Sequence, residues 1–334
     1  MSVDWFERLT GFRELGYHAT RERLTVEGST LISLVNEKRY GIGELTLPSL
    51  AELRRRAPVA TRRRSTVRPL IGDARALHAA PEFRGATIQV ASQFNALEMT
   101  SPHMTPDDGV TRYEHDHTQG PACAMAAGAA TIFRNYFADV DGQAGQTRDR
   151  QLDTLAGLGA AFSTRLGRPV ADLWEMRNGY ALCTPQGLGA VADLLTDYSD
   201  TERDELRGML AIGLHRDVEV TDVSDGNQIV SQAFCSALPV AYGVPSPDWE
   251  PFARLVLEAT YEATLLAAAE QAAAGGSNVV LLTRVGGGVF GNHDAWIDDA
   301  IARALRIVEH RGLDVRLVSR SAVHGSFARI AREW

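Results

Sequence analysis

Two stretches of this chain carry residue types that can do chemistry. The first is Gly286-Gly287-Gly288-Val289-Phe290-Gly291-Asn292, set between an apolar strand pattern and a helical one. Adjacent glycines let backbone approach a ligand closely and adopt positive φ without strain. Their N–H groups, with the positive end of the following helix, form a cradle for an anion such as a diphosphate. The second is the polar run from Gln93 to Gly120, with Glu98, Asp107, Asp108, Glu114 and Asp116 alongside His103, His115 and His117. Carboxylates beyond a strand can orient hydroxyls, position a water or stabilise positive charge developing at a reacting carbon.

Each stretch also has a plainer reading. The glycines could form a simple strand-to-helix turn, and the carboxylates could cap a wet surface loop. A loop of about 25 residues without elements of its own is uncommon unless functional, which favours a site. His115-x-His117 with Asp116 invites a metal, yet no third ligand stands at a suitable spacing, so exposed histidines and no metal are expected. Gly286, Gly288 and Gly291 match the dinucleotide spacing G-x-G-x-x-G. However, no acidic residue ends a strand about 20 positions later, and Asp314 precedes its strand, which argues against NAD.

The elements that must position these loops are clearest in the last third. Gln228–Cys235 reads as a strand, Trp249–Ala274 as a long helix and Val279–Thr283 as a buried strand. A helix follows from Asp294 to about His310, then a strand at Val315–Val318. Strand, helix, strand implies right-handed crossovers and a largely parallel sheet with helices on both faces. Upstream, Ala86–Ala91 is a strand running into Ser92-Gln93-Phe94-Asn95, and Pro121 opens a helix through Phe137. Helical stretches at 151–166, 186–195 and 201–214 surround a short strand at 178–183 and read as an insertion over about 140–225. Residues 1–80 read as an N-terminal extension, with strands at 29–35 and 40–47 and a short helix after Pro48. The main domain is expected over 81–334.

Composition narrows the function. The chain has 334 residues, with 34 basic against 42 acidic side chains and a net charge of −8. A whole-chain grip on nucleic acid is not expected. Six arginines in the eleven positions 54–64 form the exception. They make either a patch for an acidic partner or an arm that pairs with the acidic remainder. Lys38 is the sole lysine, so a Walker lysine or a Schiff base would have to use it. Three cysteines without a C-x-x-C pair fit a reduced interior, and no leader or membrane span is apparent; a cytoplasmic protein is expected. Asn178-Gly179-Tyr180 and Ala237–Tyr242 could supply an aromatic wall for a base, or simply buried tyrosines. Trp249 and Trp296 read as core.

The stretch VLLTRVGGGVFGNHDAWIDDAIARAL resembles the glycine-loop and helix segment of the macrodomain superfamily, in its poly(ADP-ribose) glycohydrolase-like branch. IQVASQFNALE is similar to that branch's strand-to-asparagine segment. The resemblance implies a macrodomain-like three-layer α/β/α sandwich with a mixed, largely parallel sheet. It also implies ADP-ribose, free or protein-bound, as ligand, with no further cofactor. It places Phe94, Asn95, Gly286, Gly287, Gly288, Val289, Phe290, Gly291 and Asn292 around the ligand, with Asn95 on the ribose. The branch's glycine triplet and Gln-Glu-Glu are missing after Asn95, and the aspartate-rich loop stands there instead. That loop is similar in character to divergent macrodomains that remove ADP-ribose from arginine. The implied activity is cleavage of a ribose C1–N bond by carboxylates among Glu98, Asp107, Asp108 and Asp116. The competing readings are a non-catalytic ADP-ribose reader and a metal-dependent hydrolase using His115 and His117.

Overall fold

The computed structural model describes residues 3–223 and 228–334. Positions 1 and 2 of the expected extension and positions 224 and 225 of the expected insertion lie outside them. The centre is a seven-stranded sheet, in chain order β1 (Glu44–Thr46), β2 (Thr66–Ile71), β3 (Thr87–Ala91), β4 (Gly213–Glu219), β5 (Ile229–Cys235), β6 (Val279–Leu282) and β7 (Asp314–Ser319). Its spatial order is β1-β4-β5-β3-β6-β7-β2. The run from β5 to β2 is parallel, while β1 and β4 add antiparallel pairings at one edge. This is the mixed, largely parallel sheet expected from the sequence.

Alternation along β6 shows why helices must cover both faces. Val280 and Leu282 pack with helices α3 (Trp249–Ala273) and α4 (Asp294–Ile307). Leu281 points the other way, onto a cluster with Leu77, Ala127 and Ala130. A strand with both faces buried reads as an unbroken apolar run. The expected insertion adds helices Ala156–Leu166, Pro185–Asp197 and Asp200–Met209, tied to α3 through Phe162, Trp174 and Phe252. Trp249 is core, its indole N–H donating to the Val244 carbonyl at 3.0 Å, whereas Trp296 is half-buried against that core.

Several elements depart from the sequence reading, each for a local reason. The strand expected over 40–47 is broken at Gly43, whose φ is +63°; a Cβ there would lie 1.8 Å from the Arg216 carbonyl oxygen. Its second half is β1, and β2 lies at the opposite edge, so the N-terminal extension supplies both edges of the central sheet. The helix expected to reach Leu214 stops at Met209 and β4 follows. β4 hides behind a bulge at Arg216-Asp217, where Asp217 has φ +53° and the register shifts. The helix expected over 121–137 divides at Ala127 into α1 (Gln119–Ala126) and α2 (Gly128–Tyr136). Gly128 packs there against Trp5, with room for no larger residue.

Part of the arginine run, Arg54, Arg56 and Arg64, pairs with the acidic body. Arg54 lies between Asp204 and Glu262 at 2.9 and 2.6 Å, and Arg64 reaches Glu309 at 3.0 Å. No helix among the described residues is long and apolar enough to cross a membrane.

Candidate functional site

A cavity of about 260 Å³ opens where β5, β3 and β6 end, lined by Ala91 at the end of β3, Ser92 after it, Ala237 after β5 and Val285 after β6. Ligands of parallel sheets gather beyond the carboxyl ends of strands. The glycine loop forms one wall. Within it, the N–H groups of Gly287, Gly291 and Asn292 donate to Arg284, Gly288 and Gly286 carbonyls at 3.2, 3.0 and 2.9 Å. Gly286, Gly288, Val289 and Phe290 line the cavity. These four are the loop residues whose N–H groups find no acceptor among the described residues. Gly286 has φ +79°, and a Cβ would sit 2.5 Å from that of Ala237, so the turn requires glycine. Around Gly288 a Cβ would meet none of the described residues within 4 Å. Asn292 stays behind the wall, its amide donating to the Leu238 carbonyl at 2.8 Å. Phe290 packs with Tyr180 and Tyr242, ring centroids 5.3 and 5.9 Å away, so the aromatic wall is built from three segments.

Two of the four carboxylates named from the sequence line this cavity, Glu98 and Asp116. Glu98 is buried at its floor. One oxygen, Oε1, accepts from Arg134 at 3.3 Å, and Oε2, itself buried, has no partner among the described residues. Burial raises the carboxyl to about 7 despite the opposing Arg134 charge. Asp116 stands just before α1, its Oδ1 accepting the N–H and hydroxyl of Thr118 at 2.8 and 2.6 Å. Thr118, Gln119 and Gly120 of that helix start line the cavity as well. Asp107 and Asp108 do not line it. Asp107 pairs with Arg148 at 3.0 Å, and Asp108 accepts from the Thr105 N–H and hydroxyl, both at 2.9 Å.

Phe94 and Asn95 are likewise drawn away from the cavity. Phe94 is core. Asn95 is fully buried, donating to Gln151 at 2.8 Å and accepting from the Leu97 N–H at 3.0 Å. That arrangement holds the tight turn in which Ala96 takes φ +57° and from which Glu98 enters the cavity. His103, His115 and His117 are exposed. Among the described residues no group of three or more His, Cys, Asp or Glu is arranged to hold a metal ion.

The acidic loop is held from the N-terminal segment, which sequence reasoning did not connect with it. Glu14 accepts from the N–H groups of Val110 and Thr111 at 2.8 and 2.7 Å and from the Tyr136 hydroxyl at 2.8 Å. The Trp5 indole N–H donates to the Thr111 carbonyl at 3.1 Å. Hydrogen bonds to a charged group contribute about 1.5–3 kcal/mol each. Glu14→Ala is therefore expected to raise amide exchange across 110–116 at least about tenfold. Unchanged exchange there, followed by mass spectrometry, would show that the loop holds itself.

Gln93 and Gln119 are further cavity residues that the sequence reading passed over. Gln93 accepts from the Met99 N–H at 2.5 Å, and Gln119 from the Ala91 N–H at 2.7 Å. Their place at the two ends of the Gln93–Gly120 run is the available signal. A second chamber of about 190 Å³ adjoins the first and shares Ala91, Thr118, Gln119 and Arg284 with it. Gly72, Asp73, His117 and Arg320 close its far side. Arg284 stands between the two, held by Asp294 at 2.7 Å and Asp298 at 2.5 Å.

No family model matches the chain, and no curated protein does. Among solved structures it is similar to poly(ADP-ribose) glycohydrolase from Deinococcus radiodurans in complex with ADP-ribose, at 14% identity and a TM-score of 0.42, over 96% of this chain and 99% of that one. It is also similar to poly(ADP-ribose) glycohydrolase from Thermomonospora curvata, at 15% identity and a TM-score of 0.43, over 94% of each chain. At such identities the chemistry has to be read from the site itself.

Proposed function

We propose that this protein is an ADP-ribosyl hydrolase that cleaves the bond between ribose C1 and a protein side chain, with arginine as the favoured linkage. One observation carries the reading. The four loop residues facing the cavity are those whose N–H groups find no acceptor among the described residues, and they share it with Glu98, whose buried Oε2 also has no partner among them. Such amides suit a diphosphate. No lysine is at hand, and the Arg284 charge is already met by two aspartates, so the backbone is the main source of positive potential for a phosphate.

Neither chamber alone reaches the roughly 300 Å³ at which small-molecule sites begin, whereas the two joined across Arg284 exceed it. In this reading the base end of the nucleotide enters the second chamber, and the distal ribose packs on Phe290 and Tyr180. Glu98 titrates near neutrality and so suits proton transfer at the reacting centre. Asp116 faces the emerging guanidinium and the positive charge at C1. The amide-lined glycine loop and two carboxylates fit a substrate anionic at one end and cationic at the other.

The placement of Asp107 and Asp108 outside the cavity leaves fewer groups for chemistry, which favours a second reading, a binding module without turnover. Release of ADP-ribose from arginine-, glutamate- and polymer-linked substrates separates them. Arginine-linked release is expected. Asp116→Ala is expected to lower it by at least about tenfold, and Asp107→Ala and Asp108→Ala by less than about threefold. Binding of ADP-ribose with no release from any substrate would favour the binding module.

A further inference from the structure

Arg134, on α2, is fully buried, and an arginine in that position is costly unless every contact compensates it. Its Nε donates to the Ala96 carbonyl at 3.0 Å, and Nη2 donates to Glu98 at 3.3 Å and Thr131 at 3.1 Å. Nη1 lies 3.4 Å from His215 Nδ1, and the guanidinium stacks 3.8 Å from the centre of the Phe234 ring. One planar fork therefore grips both ends of the Ala96–Glu98 turn. The grip takes up Glu98 Oε1 and leaves the buried Oε2 without a partner among the described residues, on a cavity-lining residue.

We propose that Arg134 is the positioning residue for Glu98, fixing the turn so that one carboxyl oxygen stays unpaired on this cavity-lining residue and supplying the counter-charge of the ionised form. This rests on the assignment of Glu98 as the proton-transfer group. The other titratable groups around the pair are Tyr113, whose hydroxyl accepts the Glu98 N–H at 3.3 Å, Cys123 of α1, His215 of β4 beside Arg134, and Asp116 on the same cavity. Burial holds His215 neutral and pushes the Tyr113 hydroxyl and Cys123 thiol up, so all three are uncharged near neutrality. Arg134 is thus the one cation among these neighbours. Without it, burial is opposed only by a backbone hydrogen bond and holds the Glu98 proton to higher pH.

Infrared titration tests this without requiring turnover. The Glu98 acid C=O band is assigned by its loss in Glu98→Gln and followed against pH in the ligand-free protein. In the parent it disappears with a midpoint near neutrality. In Arg134→Met the midpoint is expected to rise by at least about one pH unit, and the alkaline shift of the pH–kcat profile follows it. Arg134→Lys keeps the charge but not the fork. It is expected to hold the midpoint within about half a unit of the parent while losing at least about tenfold in kcat. Should Arg134→Met not fold, Arg134→Gln is read in its place. A midpoint unmoved by removal of the charge overturns the proposal, as does full turnover in Arg134→Lys. Absence of turnover in the parent would instead overturn the hydrolase reading, leaving the infrared result to stand.

Discussion

Glu98→Gln is expected to lower kcat by about 10²–10⁴-fold while ADP-ribose affinity stays within about threefold. The amide fills the same buried volume and can still accept from Arg134, but it cannot exchange a proton. Stability reports the same group independently. Its carboxyl is raised to about 7 in the folded protein, from an ordinary value of 4.5. Between those values the folded state holds a proton that the unfolded chain releases. Stability contributed by this group is therefore full below about pH 4.5 and falls as pH rises to about 7, by about 3 kcal/mol in all. Thermal melts from pH 5 to 8 should show this fall in the parent and not in Glu98→Gln. Parallel curves for the two proteins would mean that Glu98 is ionised throughout and unsuited to proton transfer.

The two glycines give the second large effect, and they are expected to behave oppositely. Gly288→Val meets open space, so its Tm should stay within about 2 °C of the parent. The new side chain nevertheless occupies the cradle, and ADP-ribose affinity should fall at least about 100-fold. Gly286→Ala forces a Cβ into a φ of +79° and within 2.5 Å of Ala237. It should cost about 1–3 kcal/mol of stability whether or not a ligand is present. Denaturant melts and calorimetry on the pair separate the two roles. If Gly288→Val binds as the parent does, the diphosphate lies elsewhere.

The parts of the fold legible in the sequence were those with strong periodicity and buried faces. The apolar run of β6, the long helix α3 and the glycine turn between β6 and α4 could be read directly, and the turn faces the cavity as its composition suggested. What escaped was encoded in single backbone positions. β4 is masked by its bulge at Asp217, and β2 by Pro69, which an edge strand tolerates because the missing N–H interrupts no inner ladder. The site was legible by residue type and less so by direction. Asn95 lies in the segment expected to meet a ribose, but its amide closes a turn. Asp107 and Asp108 share the loop of Asp116 and are diverted to Arg148 and Thr105. Spacing along a loop of irregular backbone does not say which side chains converge. Nor does it reveal that Glu14, about a hundred residues upstream, holds that loop in place.

Calorimetric titration of the intact chain with free ADP-ribose tests the central claim most directly. One site with micromolar affinity, lost in Gly288→Val and kept in Glu98→Gln, is the predicted result. A folded protein that gives no binding heat with ADP-ribose at any temperature tried would contradict it and return the glycine loop to a plain turn.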